Sequence, residues 1–382
     1  MQTQNYKILY THEVLQKFLS DNQPFRVLNK NVGSDERLEL QPNLFEKISS
    51  NQSVNYSNDI YDEDHYFCLQ PRSYLIHDAL TRTQYGVLSL ENNIIRESIF
   101  HFPWHKFQNF KKYGDKYREE SCEFLSGEAE IELDVAFTAC SGFNENYYHW
   151  MVLFLGQINS LFLDSWKGEV RSSFPIILPK YLSNVQKESA HTLAEYYNLP
   201  ILWLSKPVSI KIRQLILPLP MRSGGLKPHP IISNSFKIIR DKFYRIGDYP
   251  KKIYVSRSDS RNRMLVNERE LEDTLAKRGY EIIRLSGMSL SEQVNAFAHA
   301  NSIISPHGAG LTNLGFSESG TKVLEIHMPT YLNWCFRRMS SIFGINYNFL
   351  TGKMVDDNSQ KIHTSTYEID LNKVQRCFEE GF

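Results

Sequence analysis

Two kinds of excess are missing from this 382-residue chain: charge of one sign and unbroken apolar sequence. Forty-three Lys and Arg face forty-three Asp and Glu. No basic field of the kind that grips a phosphate backbone follows from that balance, and no nucleic acid partner is expected. The one basic concentration, Arg257 to Arg263, suits a small anion better than a duplex. The longest apolar segment, Trp150–Phe162, is broken by Gly156, Gln157, Asn159 and Ser160 and falls short of the ~20 residues that span a bilayer. The opening MQTQNYKILYTHE has no apolar signal-peptide core. The five cysteines are odd in number, scattered and never in a CxxC pair, which argues against a disulfide framework or a thiolate zinc site. The expectation is a soluble, cytoplasmic protein with reduced thiols.

What is present is an alternation of strands and helices long enough for two α/β domains. Residues 1–130 show short β-like runs (Tyr66–Leu69, Tyr74–Ile76, Tyr85–Leu90) between polar stretches such as SSNQSVNYSND, and predict a β-rich extension. From 131 to 245 the pattern predicts strands at Ile131–Ala139, Pro175–Leu178, Ile201–Leu204 and Ile210–Leu217, with helices at Tyr147–Trp166 and Ser183–Asn198. The turn-rich PLPMRSGGLKPHP and an amphipathic helix over Ile231–Arg245 read as a crossing between domains. Residues 246–350 predict a second domain. Its strands are Lys252–Ser256, Glu281–Leu285, Ser302–Ser305 and Lys322–Ile326, and its helices Asn267–Arg278, Ser289–Ala300 and Asn333–Phe343. Residues 351–382 are left as a C-terminal tail. The predicted class is α/β, two Rossmann-like domains facing across a cleft.

Ligands of open α/β sheets bind beyond the carboxyl ends of the strands. Three polar elements fall at such ends: Ser256-Arg257 with Arg261 and Arg263, the turn His307 to Asn313, and Glu325. A diphosphate needs positive charge, free N–H donors and close backbone approach. Arg257 and Arg263 supply the first, and Gly308 and Gly310 make room for the approach. Glu325 is placed to hold a ribose diol. Blander readings stand beside these. Gly-x-Gly is common in strand–helix turns, an isolated trio of arginines is usually solvated, Asn267 with Glu270 matches an N-cap, and Ser289 with Glu292 matches a capping box.

Residues 254–329 carry, in order, Ser256-Arg257, Arg263, Asn267-Glu268, Glu292-Gln293, His307-Gly308-Ala309-Gly310-Leu311-Thr312-Asn313 and Glu325. This succession resembles glycosyltransferase family 61. Asn146-Tyr147-Tyr148-His149-Trp150 is similar to that family's N-terminal segment. The resemblance departs at Leu153, where the family commonly carries an acid, and again at Leu155-Gly156-Gln157. It implies an inverting transferase of GT-B architecture, moving sugar from a UDP-sugar to a glycan or lipid-linked glycan acceptor in bacterial capsule or surface polysaccharide synthesis. Residues 131–245 would then be the acceptor domain and 246–350 the donor domain. Peripheral association with a membrane-bound polysaccharide machinery fits that role. The donor site would comprise Ser256, Arg257, Arg263, Asn267, His307, Gly308, Ala309, Gly310, Thr312, Asn313 and Glu325.

Inverting transfer needs a base for the acceptor hydroxyl. His149 is the candidate and Glu145 the fallback, with a hydrogen-bonded core histidine as the bland reading of His149. Asp62-Glu63-Asp64 superficially matches a metal-binding DxD, and Asp356-Asp357 is a second acidic pair. Both read as solvated loops, so no metal or other cofactor is expected. Two alternatives remain open: a UDP-sugar epimerase-like enzyme of the same architecture, and an inactive nucleotide-sugar-binding protein.

Overall fold

The computed structural model describes residues 128–138, 146–160, 173–206, 208–218, 228–356 and 365–382, together with strands lying between residues 3 and 125. Glu145, Asp62-Glu63-Asp64, Asp357 and the expected helix beyond residue 160 lie outside the described residues. The chain divides into two compact units. The first comprises residues 1–34 and 70–222, and the second 35–69 and 223–382.

The first unit is built on one mixed sheet. Its strands include β1 (Ser73–Arg82), β2 (Ile131–Thr138), β3 (Ile176–Pro179), β4 (Ile201–Leu204) and β5 (Ser209–Pro218). Strands β4, β3, β2 and β5 are parallel and adjacent in that order, the arrangement of a Rossmann half. The sheet does not stop there. β5 pairs antiparallel with β1 from Ser209↔Arg82 to Pro218↔Ser73, and further strands of residues 1–125 continue outward from β1. The expected extension is thus split: its strands outside residues 35–69 are one sheet with the expected Rossmann-like part, and residues 35–69 belong to the second unit. Ile76, Ala136, Ile177, Ile210, Ile212 and Leu215 pack into its core.

Helix α1 (Leu155–Ser160) follows a wide, π-type turn over His149–Phe154, closed by the Leu155 N–H donating to the Trp150 carbonyl. Helix α2 (Asn184–Tyr196) starts at a capping box. The Ser183 hydroxyl accepts from the Gln186 N–H, and the Gln186 side chain accepts from the Ser183 N–H. Its buried face, Gln186, Ser189, Ala190, Leu193 and Ala194, recurs at helical spacing. It ends where Asn198 turns left-handed at φ 53°, a conformation asparagine tolerates.

The second unit runs α3 (Ile232–Phe243), β6 (Lys252–Val255), β7 (Met264–Leu265), α4 (Glu268–Ala276), β8 (Glu281–Ile283), α5 (Leu290–His299) and β9 (Ser302–Pro306). A 3-10 turn over Ala309–Phe316 follows, then β10 (Lys322–His327), α6 (Cys335–Phe343), β11 (Asn346–Thr351), β12 (Lys353–Asp356), β13 (Thr366–Glu368) and α7 (Leu371–Glu379). Its main sheet is wholly parallel in the order β8-β6-β9-β10-β11. The first strand lies between the second and third, so the order reverses between β6 and β9, and doubly wound sheets bind their ligands at such a switch point.

Two expected boundaries move. Helix α3 belongs to the second unit, because Phe236 packs on Phe316 and Phe343 at ring-centroid distances of 5.0 and 5.3 Å. A Cβ on Gly315 would lie 2.3 Å from the Phe236 ring, so only glycine lets the helix dock this closely. The expected C-terminal tail is core: Tyr367, Ile369, Val374 and Cys377 are buried with Tyr254, Ile304 and Leu324. The predicted capping box of Ser289 and Glu292 is present at the head of α5. No helix among the described residues is long and apolar enough to cross a membrane.

Candidate active site

The carboxyl ends of β6 and β9 carry the residues that the sequence singles out. Past β6, the Ser256 hydroxyl accepts from the Ser258 N–H at 3.2 Å and donates to the Ser258 hydroxyl at 3.0 Å, which turns the chain. Arg257 is anchored at both ends. Its N–H donates to Glu268 Oε1 at 2.7 Å, and the same oxygen accepts the Tyr254 hydroxyl at 2.9 Å. Its guanidinium donates to the His307 carbonyl at 2.6 Å and to the Ser260 hydroxyl at 2.9 Å, so one side chain ties the two strand ends together. Among the described residues no carboxylate pairs with that guanidinium. Burial, and the charge of Arg263 nearby, pull its pKa below the ordinary arginine value.

Gly308 lies directly under this guanidinium. A Cβ there would fall 2.6 Å from Arg257 Nε and 3.1 Å from its Cζ. The 3-10 turn opens with the Leu311 N–H donating to the Gly308 carbonyl. The N–H groups of Gly308, Ala309 and Gly310 precede that bond and are not used by the turn. Arg263 takes a left-handed conformation at φ 51° and sets its guanidinium 4.5 Å over the Tyr331 ring. A strained arginine and a desolvated one therefore flank three backbone donors, an arrangement suited to an anion.

Behind the rim lies a buried polar cluster on one face of the sheet. Glu325 and His327 share a face of β10 by their two-residue spacing. Ser305 is paired with Glu325 across β9 and β10, which brings His307 to the same face. His307 Nδ1 is 2.5 Å from Glu325 Oε1, and the Tyr347 hydroxyl donates to Oε2 at 2.5 Å. His327 Nε2 lies 3.3 Å from Oε2. Complete burial works against a charge on Glu325, yet the two imidazoles hold its carboxyl well below the usual range. Burial lowers His307 to about 4. His307, Glu325 and His327 have ligand atoms within 4.8 Å of one another. A tetrahedral zinc ion about 2.0–2.2 Å from each would hold them about 3 Å or more apart, so the 2.5 Å separation is that of a hydrogen bond.

Residues 147–324 match the family model described as Glycosyltransferase 61. That match supports assigning this stretch to glycosyltransferase family 61. A search of curated proteins found no match. The matched stretch begins within the Tyr147–Trp150 segment and runs through Arg257, Arg263 and the His307–Asn313 turn, ending one residue before Glu325. On that similarity the protein is a glycosyltransferase, with a sugar donor and an acceptor as substrates.

Several residues expected to touch the transferase's donor are held by the protein instead. Glu325 is fully buried with both oxygens engaged, so it cannot reach a ribose. Asn267 stands at the N-cap of α4, as expected, but its side chain makes no cap bond. Its amide donates to the Ile369 carbonyl at 2.8 Å and accepts from the Ile369 N–H at 3.0 Å, clamping the segment after β13. Asn313 is buried and donates to Gln293 at 2.9 Å, and Thr312 is sealed beside it. The Ser256 hydroxyl shapes its own turn. Gly310 makes room for Leu285, whose Cδ1 would lie 2.7 Å from an added Cβ. Both glycines thus clear space for neighbouring side chains. Arg257, Arg263, His307 and the N–H groups of 308–310 remain grouped at the rim. Glu268, Tyr331, His327 and Tyr347 are participants the sequence reading passed over, although the Asn267-Glu268 pair and the Glu325-x-His327 spacing were there to find them.

In the first unit, Asn146 Oδ1 accepts from the Tyr148 and His149 N–H groups at 3.0 and 3.3 Å. Trp150 Nε1 donates to the Ser189 hydroxyl at 2.8 Å. His149 is half-buried, and desolvation lowers its pKa to about 4. Leu153 is a buried core residue.

Proposed function

We propose that this transferase takes its sugar from a UDP-sugar whose diphosphate binds at the β6–β9 switch point, and passes it with inversion to a glycan or lipid-linked glycan acceptor in surface polysaccharide synthesis. One observation carries the donor reading: the Arg257 guanidinium, desolvated and unmatched by any described carboxylate, lies over Gly308 at the head of a turn that does not use the N–H groups of 308–310. The uridine, the inversion and the GT-B plan rest on the family resemblance. The first unit would supply the acceptor side, with His149 as base. Neutral at physiological pH, His149 can take up a proton, although its lowered pKa weakens it as a base.

Calorimetry with UDP tests the donor reading. Arg257→Ala should lose roughly 1.5–3 kcal/mol of binding, with near-native circular dichroism. Unchanged affinity would remove the diphosphate from this loop. We further propose metal-independent transfer, since the arginines and backbone N–H groups supply positive charge at the leaving diphosphate. Turnover in EDTA should match turnover in magnesium or manganese, and a reversible loss in chelator would overturn that.

A further inference from the structure

The His307 side chain is 92% buried, and its ring is enclosed by His327, Tyr331 and Phe336 at centroid distances of 5.2, 5.5 and 5.3 Å. Its Nδ1 faces Glu325. Its Nε2 has no partner among the described residues and is not among the sealed polar atoms, so it is where the ring meets the rim. Glu325 is ionised and also receives the Tyr347 hydroxyl, so the nitrogen facing it must carry the proton. A neutral imidazole with Nδ1–H offers only a lone pair at Nε2.

That polarity separates His307 from its neighbours. Arg257, Arg263 and the N–H groups of 308–310 are all donors and answer phosphate oxygens. A lone pair facing an unprotonated phosphate oxygen is repulsive. What it fits is an O–H group, and a nucleotide-sugar carries such groups on its ribose and on its sugar.

We propose that His307 Nε2, aimed by Glu325, accepts a hydrogen bond from one hydroxyl of the bound nucleotide-sugar. Glu325, Tyr347 and His327 are positioning residues: they fix which ring nitrogen is protonated and never touch the ligand. The proposal rests on the reading of this rim as the nucleotide site.

The experiment uses UDP and a UDP-sugar, with analogues in which each ribose or sugar hydroxyl is replaced in turn by hydrogen or by fluorine, titrated into the full chain. In wild type, one position should weaken binding about three- to tenfold on loss of its hydroxyl. Fluorine, which cannot donate, should be no better than hydrogen there. The sensitive position tells ribose from sugar. In Glu325→Gln the amide donates to Nδ1 and the imidazole proton moves to Nε2, so the fluoro analogue should now bind at least as well as the deoxy one. Pyrophosphate affinity should stay within twofold of wild type.

The proposal is overturned if no single hydroxyl matters by more than twofold in wild type, or if fluorine rescues binding in wild type. An unchanged fluoro-to-deoxy order in a folded Glu325→Gln, or a loss of turnover alone at unchanged donor affinity, also overturns it. Should Glu325→Gln not fold, the wild-type series decides alone. Wild type that binds neither UDP nor pyrophosphate would instead sink the nucleotide reading beneath it.

Discussion

A methyl group placed on Gly308 tests whether the Arg257 guanidinium is what a donor's diphosphate meets. The added Cβ would lie 2.6, 2.8 and 3.1 Å from Arg257 Nε, Cδ and Cζ, where unstrained contacts begin near about 3.5 Å. The backbone at Gly308 is extended, with φ −176°, so alanine is tolerated there without strain and the side chain must yield. Moving it by about 1 Å stretches the 2.6 Å bond to the His307 carbonyl and the 2.9 Å bond to Ser260. The guanidinium then leaves its place over Gly308. A lost charge-assisted contact is worth roughly 1.5–3 kcal/mol, or about 10- to 150-fold in Kd. Gly308→Ala should therefore weaken UDP by that factor, and Arg257→Ala should do the same. Because both act through one group, the double variant should be no weaker than Arg257→Ala alone. Titration calorimetry on the three proteins, with melting curves as the control, reads this out. Losses that add in the double variant would refute the reasoning.

Glu268→Ala should lower Tm, because it strands the Tyr254 hydroxyl and the Arg257 N–H at roughly 1–3 kcal/mol each. Glu268→Gln, which keeps an acceptor oxygen, should lower it less in the same melting assay. Asn267→Ala should destabilise the fold by removing both bonds to Ile369 while leaving UDP affinity within twofold, and a selective loss of UDP binding would restore Asn267 to the donor site. His149 and His229 are both lowered by burial to about 4. The unfolded chain binds their protons below about 6.5 and the folded one does not. Stability should therefore fall as pH drops from about 6.5 toward 4, and His149→Gln with His229→Gln should flatten that slope in urea titrations. An unchanged slope in the double variant would contradict both burial assignments. His149→Ala should cut turnover by roughly 10²–10⁴ at unchanged UDP affinity, and turnover within about tenfold of wild type would return His149 to the core.

The parallel sheet of the second unit was legible because its strands are short apolar runs bounded by turn signals and separated by amphipathic helices. Arg257 and the His307–Asn313 turn were legible for a related reason: both follow directly on such strands. What the sequence hid was direction and distance. Glu325 is visible as a carboxylate in an apolar strand, but its partners Tyr347 and His307 come from two other segments, so an inward-facing acid read as a rim residue. Asn267 stands at the N-cap position that the sequence gives it, but its side chain turns to Ile369, about a hundred residues away, which no local pattern displays. The fusion of residues 1–34 and 70–125 with the first sheet depends on β1 pairing with β5, a non-local contact that leaves no local periodicity. The lowered pKa of His149 comes from burial alone, which its local sequence does not display.

The interleaved composition of the two units has a consequence for how this polypeptide is made and taken apart. The second unit owns residues 35–69 as well as everything from 223 onward, with the strand Glu36–Glu39 lying against α6. A ribosome therefore releases a fragment of the second unit long before the rest of it exists, and that fragment must wait through the synthesis of residues 70–222 of the first. Cutting the gene at residue 223 would yield a half lacking one of its own pieces. A hybrid meant to exchange the second unit would have to transplant the early fragment together with the late one.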